Sequence, residues 1–368
     1  MKIKQLDIAG FRSLKNVSWQ PGDLNVVIGP NGSGKSNLLR ALELLSASTQ
    51  GSLSKHILSA GGMGAILWDG RASSIWINLK LANPTFDYEL NLARLGSTSG
   101  YSIEGESLFD SNQTSQFTNR TSTSTRSNET WLSTELSFSN LFPEDSEELL
   151  DLIKLKGITT YHDLDVSKKS QIRQPSVARN ERFVEADGQN LIPVLHTLYT
   201  ENRDFEWNID AAMRAAFGSD YEKLVFTPDA GDQRVQMKVR WRSLQRAQST
   251  ADLSDGTLRF LLLMTILSAP DPPMLIAIDE PETGLHPSMF PIIAEYAVEA
   301  SSRTQVVFTT HSPQFLDAFT DIKPTTTVAR WENGETFLHT LKGEQLNYWL
   351  AEYSLGTLFH DGDLEAIA

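Results

Sequence analysis

Gly29-Pro30-Asn31-Gly32-Ser33-Gly34-Lys35-Ser36 is the stretch on which the reading of this chain turns. It meets the pattern G-x-x-x-x-G-K-[ST] at every fixed position. Its flanks fit as well. Leu24, Val26, Val27 and Ile28 read as a short buried strand, and Ser36 to Leu45 predicts a helix with Leu38, Leu39, Leu42 and Leu45 on one side. Strand, glycine loop and helix form a cradle for phosphate. The glycines let backbone N–H groups turn inward, and the helix N-terminus adds partial positive charge. In that cradle Lys35 would reach β- and γ-phosphates, and the Ser36 hydroxyl would hold Mg²⁺.

Composition sets the outer bounds. The chain has 368 residues, enough for one large or two medium domains, and its 40% hydrophobic and 21% charged content is that of a globular protein. It has no cysteine, which excludes disulfides, cysteine-based zinc sites and thiol catalysis. The start, Met1 to Asp7, has no apolar core of the signal-peptide kind, and the apolar run Leu258–Ala269 is interrupted by Arg259 and too short to span a bilayer. A cytoplasmic protein without membrane association is therefore expected. The net charge of −14 argues against a broadly basic nucleic-acid-binding body and leaves room for a local basic site.

Two short strands are expected within Ile3–Gln20, around the turn Gly10-Phe11-Arg12-Ser13. Ser46–Gly64 reads as a Gly/Ser-rich passage. Strand alternation follows at Ser74–Leu81 and Tyr88–Leu92. The Ser/Thr-rich segment 96–130 reads as an extended hairpin or mobile loop. A helix is expected from about Pro143 to Gly157, and two more between Asp187 and Phe217. Strands return at Leu224–Phe226 and Arg234–Trp241. A buried helix covers Thr257–Ser268, and strand Met274–Ile278, helix Pro287–Ala300 and strand Gln305–Phe308 follow.

Three further pieces carry chemistry. Met274 to Glu280 is an apolar strand ending in two acids, the place beside a phosphate loop where Asp279 would bind Mg²⁺ and Glu280 would polarise an attacking water. Leu253-Ser254-Asp255-Gly256-Thr257 precedes the apolar helix; Ser254 either caps that helix alone or, with Gly256, offers a second anion site. Val306 to Pro313 is a strand ending in His311, within possible reach of a γ-phosphate. His56, His162, His196, His339 and His360 read as isolated.

In this order the pieces resemble ABC-type ATPases, specifically the soluble RecF/SMC-like branch that includes the OLD family. The resemblance covers Met1 to about Leu45, about Ala251 to Leu316, and the tail Trp349–Gly356. It implies an α/β fold: a P-loop ATPase head with a mixed α/β inserted middle region. Residues 1–95 would form the N-terminal part of the head, 96–250 the insertion, 251–345 the C-terminal part of the head, and 346–368 a tail. It implies ATP and Mg²⁺, with Glu280, Lys35 and His311 catalytic and Ser36 and Asp279 at the metal. The nucleotide would be bound by Gly29, Asn31, Gly32, Ser33, Gly34, Lys35, Ser36, Asn37 and Arg12, and by Ser254 and Gly256 of a signature motif. Glu282–His286 resembles the D-loop and His311 the switch histidine. Asp255 departs from the glycine usual in transporters, and no Q-loop glutamine can be placed with Gln50 so near the first helix.

The signature further implies a homodimer or higher even oligomer with composite ATP sites. It implies a nucleotide-gated switch for a separate effector encoded nearby, of nuclease or toxin type, or for DNA or RNA, in antiphage defence or DNA maintenance. The alternative is the nucleotide-binding subunit of a transporter, which the long middle region and the altered signature disfavour. That middle region carries an alternating basic stripe: Arg234, Lys238, Arg240 and Arg242 on one side, Val235, Met237, Val239 and Trp241 on the other, with Arg246 beyond. It suits a phosphate backbone, an acidic protein surface or plain solvent. Lys168, Lys169, Arg173, Arg179 and Arg182 form a second basic group.

Overall fold

A computed structural model describes residues 2–82, 86–96, 100–110, 116–121, 157–228, 233–341 and 353–364. The expected helix before Gly157 lies outside them.

Three sheets organise the chain. The first opens with β1 (Lys2–Phe11) and β2 (Leu14–Trp19), a hairpin whose two-residue loop sets Arg12 at a left-handed φ of 47°. β3 (Leu24–Ile28) then enters the central sheet and delivers the glycine loop to α1 (Lys35–Thr49). Where a Gly/Ser-rich passage was expected, α1 runs on to Thr49, and α2 (Leu53–Ser59) and α3 (Met63–Ile66) follow. Serine does not break α1 because the Ser48 hydroxyl donates to the Leu45 carbonyl, while Leu53, Ile57 and Met63 supply buried anchors.

Strands β4 (Ser74–Ala82), β5 (Phe86–Arg94), β6 (Tyr101–Asp110) and β7 (Gln116–Thr121) complete the first sheet in the antiparallel order β2-β1-β4-β5-β6-β7. The Ser/Thr-rich segment thus contains paired strands. β8 (Ile158–Tyr161) returns to the central sheet, and β9 (Ser176–Val177) begins a third. Helices α4 (Leu191–Glu201) and α5 (Arg203–Phe217) precede β10 (Tyr221–Pro228), β11 (Arg234–Trp241) and β12 (Gln248–Ser249), which with β9 form that small sheet. The chain then runs through α6 (Asp255–Ser268), β13 (Leu275–Asp279), α7 (Phe290–Ser301), β14 (Gln305–Thr310) and α8 (Pro313–Asp317). The hairpin β15 (Thr325–Glu332)–β16 (Glu335–Thr340) and α9 (Leu355–His360) close it.

The central sheet has the order β16-β15-β3-β14-β13-β8, and all its strands but β16 are parallel. Its strands alternate between two cores. Val26, Ile28, Ile276, Ile278, Val306 and Phe308 pack towards α4–α8, while Val27, Leu275, Ala277 and Val307 pack towards α1 and the first sheet. Both faces are covered, which is why the strands read as unbroken apolar runs. The carboxyl ends of three adjacent strands, β3, β14 and β13, therefore open at one edge, the position where open α/β sheets bind ligands.

Candidate nucleotide site

The glycine loop leaves β3 at Gly29 and enters α1 at Gly34, whose φ of 99° no L side chain adopts cheaply and whose Cβ would collide with Thr336 Oγ1. Its back is braced. Thr336 Oγ1 lies 2.9 Å from the Ser33 carbonyl and 2.7 Å from Ser13 Oγ, and Asn37 Nδ2 donates to the same Ser13 hydroxyl at 2.7 Å. Asn31 and Gly32 form the exposed tip. Lys35 is buried and donates to the carbonyls of Gly29 at 2.6 Å and Pro30 at 3.0 Å. Burial lowers its pKa, opposed by Glu280, Asp279 and Glu282. Two buried polar atoms have no partner here, Ser33 Oγ and Arg12 Nε. Burial, then Arg40, lowers the Arg12 pKa. Unspent donors and a crowded cation around a helix N-terminus suit an anionic ligand.

β13 ends at Asp279, next to the loop. Ser36 Oγ donates to Asp279 Oδ2 at 3.0 Å, and Thr309 of β14 donates to Oδ1. Ser36 and Asp279 are thus adjacent oxygen donors, the set a hard divalent cation takes. Glu280 follows with a left-handed φ of 45°, and its Oε1 lies 2.9 Å from His311 Nδ1. A non-glycine residue in that region costs about 1–3 kcal/mol and is held only by its surroundings. Here the Glu280 N–H donates to the Thr309 carbonyl at 3.1 Å, and Arg259 of α6 reaches the Glu280 carbonyl at 3.4 Å. Asp279, Glu280 and Arg259 line a cavity of about 330 Å³ with His162, Asp163 and Leu164.

His162 corrects the sequence reading. It is not isolated: its Nδ1 lies 3.1 Å from Asp279 Oδ2 and its Nε2 3.0 Å from Glu43 Oε1. Parallel pairing of β8 with β13 causes this, because Ile278 stands opposite Tyr161 and the next residue on each strand meets at the sheet edge. Burial alone would depress the imidazole. The hydrogen bond to Asp279 and the ion pairing with both carboxylates outweigh it and push the pKa up to about 9. Gln50, the residue weighed as a coupling glutamine, instead closes α1 with its amide on Ser46 Oγ at 3.1 Å. His162 is thus a middle-region residue that touches the site, beside Asp163 and Leu164.

Among the described residues, no side-chain hydrogen bond joins Ser254 or Asp255 to the loop-and-acid cluster. Ser254 and Asp255 are exposed, and Ser254 accepts from Thr257 N at 3.1 Å, so it caps its own helix. A Cβ on Gly256 would come 3.1 Å from the Gly284 carbonyl, so this turn and the D-loop-like segment abut. Arg173 holds the turn from below, donating to the carbonyls of Val166 at 2.8 Å, Thr250 at 3.1 Å and Leu253 at 2.7 Å, and to the Asp255 carboxylate. Its side chain is only 4% exposed. Arg173 therefore leaves the second basic group: its charge is spent inside the protein.

A family model described as "AAA domain, putative AbiEii toxin, Type IV TA system" matches residues 24–317. An OLD nuclease from Thermus scotoductus is 40% identical over 43 residues, a stretch that is 12% of this chain and only 8% of that protein. Among solved structures, the SMC head domain from Thermotoga maritima has a TM-score of 0.53 at 14% identity, covering 93% of this chain and all of that one. A SMC head bound to the C-terminal winged-helix domain of ScpA has a TM-score of 0.60 at 13% identity, covering 95% of this chain and 100% of the other. A SMC head with an extended coiled coil, bound to the C-terminal domain of ScpA from Pyrococcus furiosus, gives 0.60 at 13%, with 95% and 99% covered. Its motifs, its head fold and the family match over most of its length make this chain a member of that AAA-domain family, an ABC-type ATPase of the RecF/SMC/OLD-like branch.

Proposed function

We propose that this ATPase binds and hydrolyses ATP in composite sites of a head-to-head dimer and acts as a nucleotide-gated switch. The observation that carries the reading is the convergence of Ser36, Asp279, Glu280 and His311 on the glycine loop, with Ser36 Oγ 3.0 Å from Asp279 and His311 2.9 Å from Glu280. Lys35, Arg12 and the N–H groups of Gly32 to Ser36 bind and neutralise the phosphates. Ser36 and Asp279 would hold Mg²⁺, which would neutralise charge developing on the phosphoryl oxygens. Glu280 orients the attacking water, and His311 orients Glu280. Exposed Ser254 and half-buried Gly256 complete the site of a second copy, because a triphosphate carries more charge than one loop neutralises.

The family description, with its toxin–antitoxin wording, and the OLD nuclease likeness support a separate nuclease- or toxin-type effector and a role in antiphage defence. The transporter alternative has no such support. Among the described residues no helix is long and apolar enough to cross a membrane.

Two substitutions test the assignment. Lys35→Ala abolishes nucleotide binding. Glu280→Gln keeps binding but lowers turnover at least about 100-fold, since only the water-orienting carboxylate is removed. Normal hydrolysis by Glu280→Gln, or no ATP binding by the wild type, overturns it.

A further inference from the structure

The small sheet carries charge that the nucleotide site does not use. Val235, Met237 and Val239 of β11 face the core, so Lys238 and Arg240 face outward. The pairing register adds a residue that the sequence pattern alone could not: Lys223 of β10 stands directly opposite Arg240, and Lys238 is flanked by Val225 and Ser249. Exposed Arg242 follows in the turn just after β11. Among the described residues, none of these four side chains has an ion-pair partner. Glu206 and Glu222 line the shallow cleft beside Lys223 and Arg240 without pairing with them. Like charges opposed across strands destabilise a sheet. In a chain of net charge −14, four unpaired cations on one face make a local field of opposite sign.

We infer that this outer face binds the phosphate backbone of nucleic acid. Alternate residues of a strand advance by about 6.8 Å. That is of the order of the spacing between phosphates along a nucleic-acid strand, so Lys238 and Arg240 meet neighbouring phosphates, with Arg242 in the turn just beyond β11. Between the cations stand Val225, Thr227, Gln236 and Ser249. Such side chains are too small to anchor a protein partner as buried aromatic hot spots do, whereas phosphate needs only charge.

The face is also wired to the signature-like turn. β12 pairs with β11 at Lys238–Ser249 and Val239–Gln248. Gln248 Nε2 then donates to the Asp252 carbonyl at 2.8 Å and Ser249 Oγ to the Asp252 carboxylate at 3.0 Å, two residues before Ser254. Nucleic acid bound on β11 therefore bears on the position of Ser254 and raises ATP turnover; this coupling half rests on the ATPase reading above.

The test uses the full chain with a fluorescein-labelled 30-base-pair DNA duplex and the matching single strand, titrated with and without ATP at several salt concentrations. The wild type binds. Lys238→Gln/Arg240→Gln/Arg242→Gln binds at least tenfold more weakly, and its slope of log K against log salt is shallower by about 0.9 for each duplex phosphate that is no longer neutralised. Its circular dichroism and DNA-free ATP turnover stay unchanged, while DNA no longer stimulates turnover. Lys238→Arg/Arg240→Lys retains binding. Failure of the wild type to bind either probe overturns the inference, as does an equal slope in wild type and triple variant. A triple variant with altered assembly by light scattering and unmoved DNA affinity also overturns it, and assigns the face to a second copy or an acidic protein. Lys35→Ala separates the two readings. DNA binding by that variant supports the interface even if no form of the protein hydrolyses ATP.

Discussion

The two halves of the candidate nucleotide site are built in opposite ways. The phosphate loop is enclosed: Lys35, Ser33 and Thr336 are buried, and the Ser13–Thr336–Asn37 hydrogen bonds brace it from behind. The signature-like turn is exposed at Ser254 and Asp255, and one buried arginine from the middle region, Arg173, holds it in place. The loop is a finished half-site that the head makes for itself. The turn is a surface whose position the middle region sets. The switch proposed above would use this asymmetry: one half binds whatever the state, and the other reports it.

The largest effect comes from asking whether the halves belong to different copies. Lys35→Ala and Ser254→Arg subunits are each inactive alone. Mixed in equal amounts, they recover about a quarter of wild-type turnover, because random pairing makes half the dimers mixed and each mixed dimer keeps one of two sites intact. Inactivity in every mixture would place both halves of a working site in one chain, or couple the two sites strictly.

Next in size is the arginine itself. Arg173→Met fills the stem but leaves the carbonyls of Val166, Thr250 and Leu253 without their donor. The cost is roughly 3 kcal/mol. Turnover should fall with it while fluorescent-nucleotide affinity of the loop is unchanged, and Arg173→Lys should restore only part, since the fork geometry is absent. Parallel loss of nucleotide affinity would mean that the two halves are not independent.

The comparison also explains what the sequence revealed. The enclosed half was legible because motif and period coincide: strand, glycine loop, leucine-striped helix, and acids at the end of β13. The parts that hold it were harder to see. Ile158–Tyr161 is a strand of only four residues, so the placement of His162 depends on pairing with β13, which no local pattern encodes. Arg173 looked like one basic residue among five, because burial is not written in spacing. The β15–β16 hairpin does carry a local signal, one absent from the expected elements. Asn333-Gly334, both at positive φ, is the dipeptide of a tight two-residue turn. The strands on either side of it supply Thr336.

His162 gives a smaller, pH-dependent effect. It ties β8 to the enclosed half through Asp279 and Glu43. Its folded pKa of about 9 lies above the ordinary 6.5, so its contribution is complete below about pH 6.5 and is lost as pH rises through 9. Burial raises the carboxyls of Asp279 and Glu43, but the same contacts outweigh it and lower both, so these shifts add nothing separate. In nucleotide-free, chelator-treated protein, urea unfolding at pH 6 and pH 9.5 should show wild type losing about 2 kcal/mol relative to His162→Phe. A difference that is flat across this range would mean that the folded imidazole keeps its ordinary pKa.

The smallest effect separates bracing from catalysis. Thr336→Val keeps the shape of a fully buried side chain and removes one hydroxyl, shared between the Ser33 carbonyl and Ser13 Oγ. Removing one buried hydrogen bond costs about 1 kcal/mol. It acts on the loop's backbone and not on Asp279 or Glu280, so it should appear as an ATP affinity weakened about fivefold with kcat unchanged. Thr336→Ser keeps the hydroxyl and should bind like wild type. The hairpin that supplies Thr336 lies beyond residues 24–317, the span of the family match, so the variant also asks whether an element outside that span has become part of the enclosed half. If kcat falls while affinity holds, the hairpin acts on the acids at the end of β13, and the enclosed half is itself adjustable.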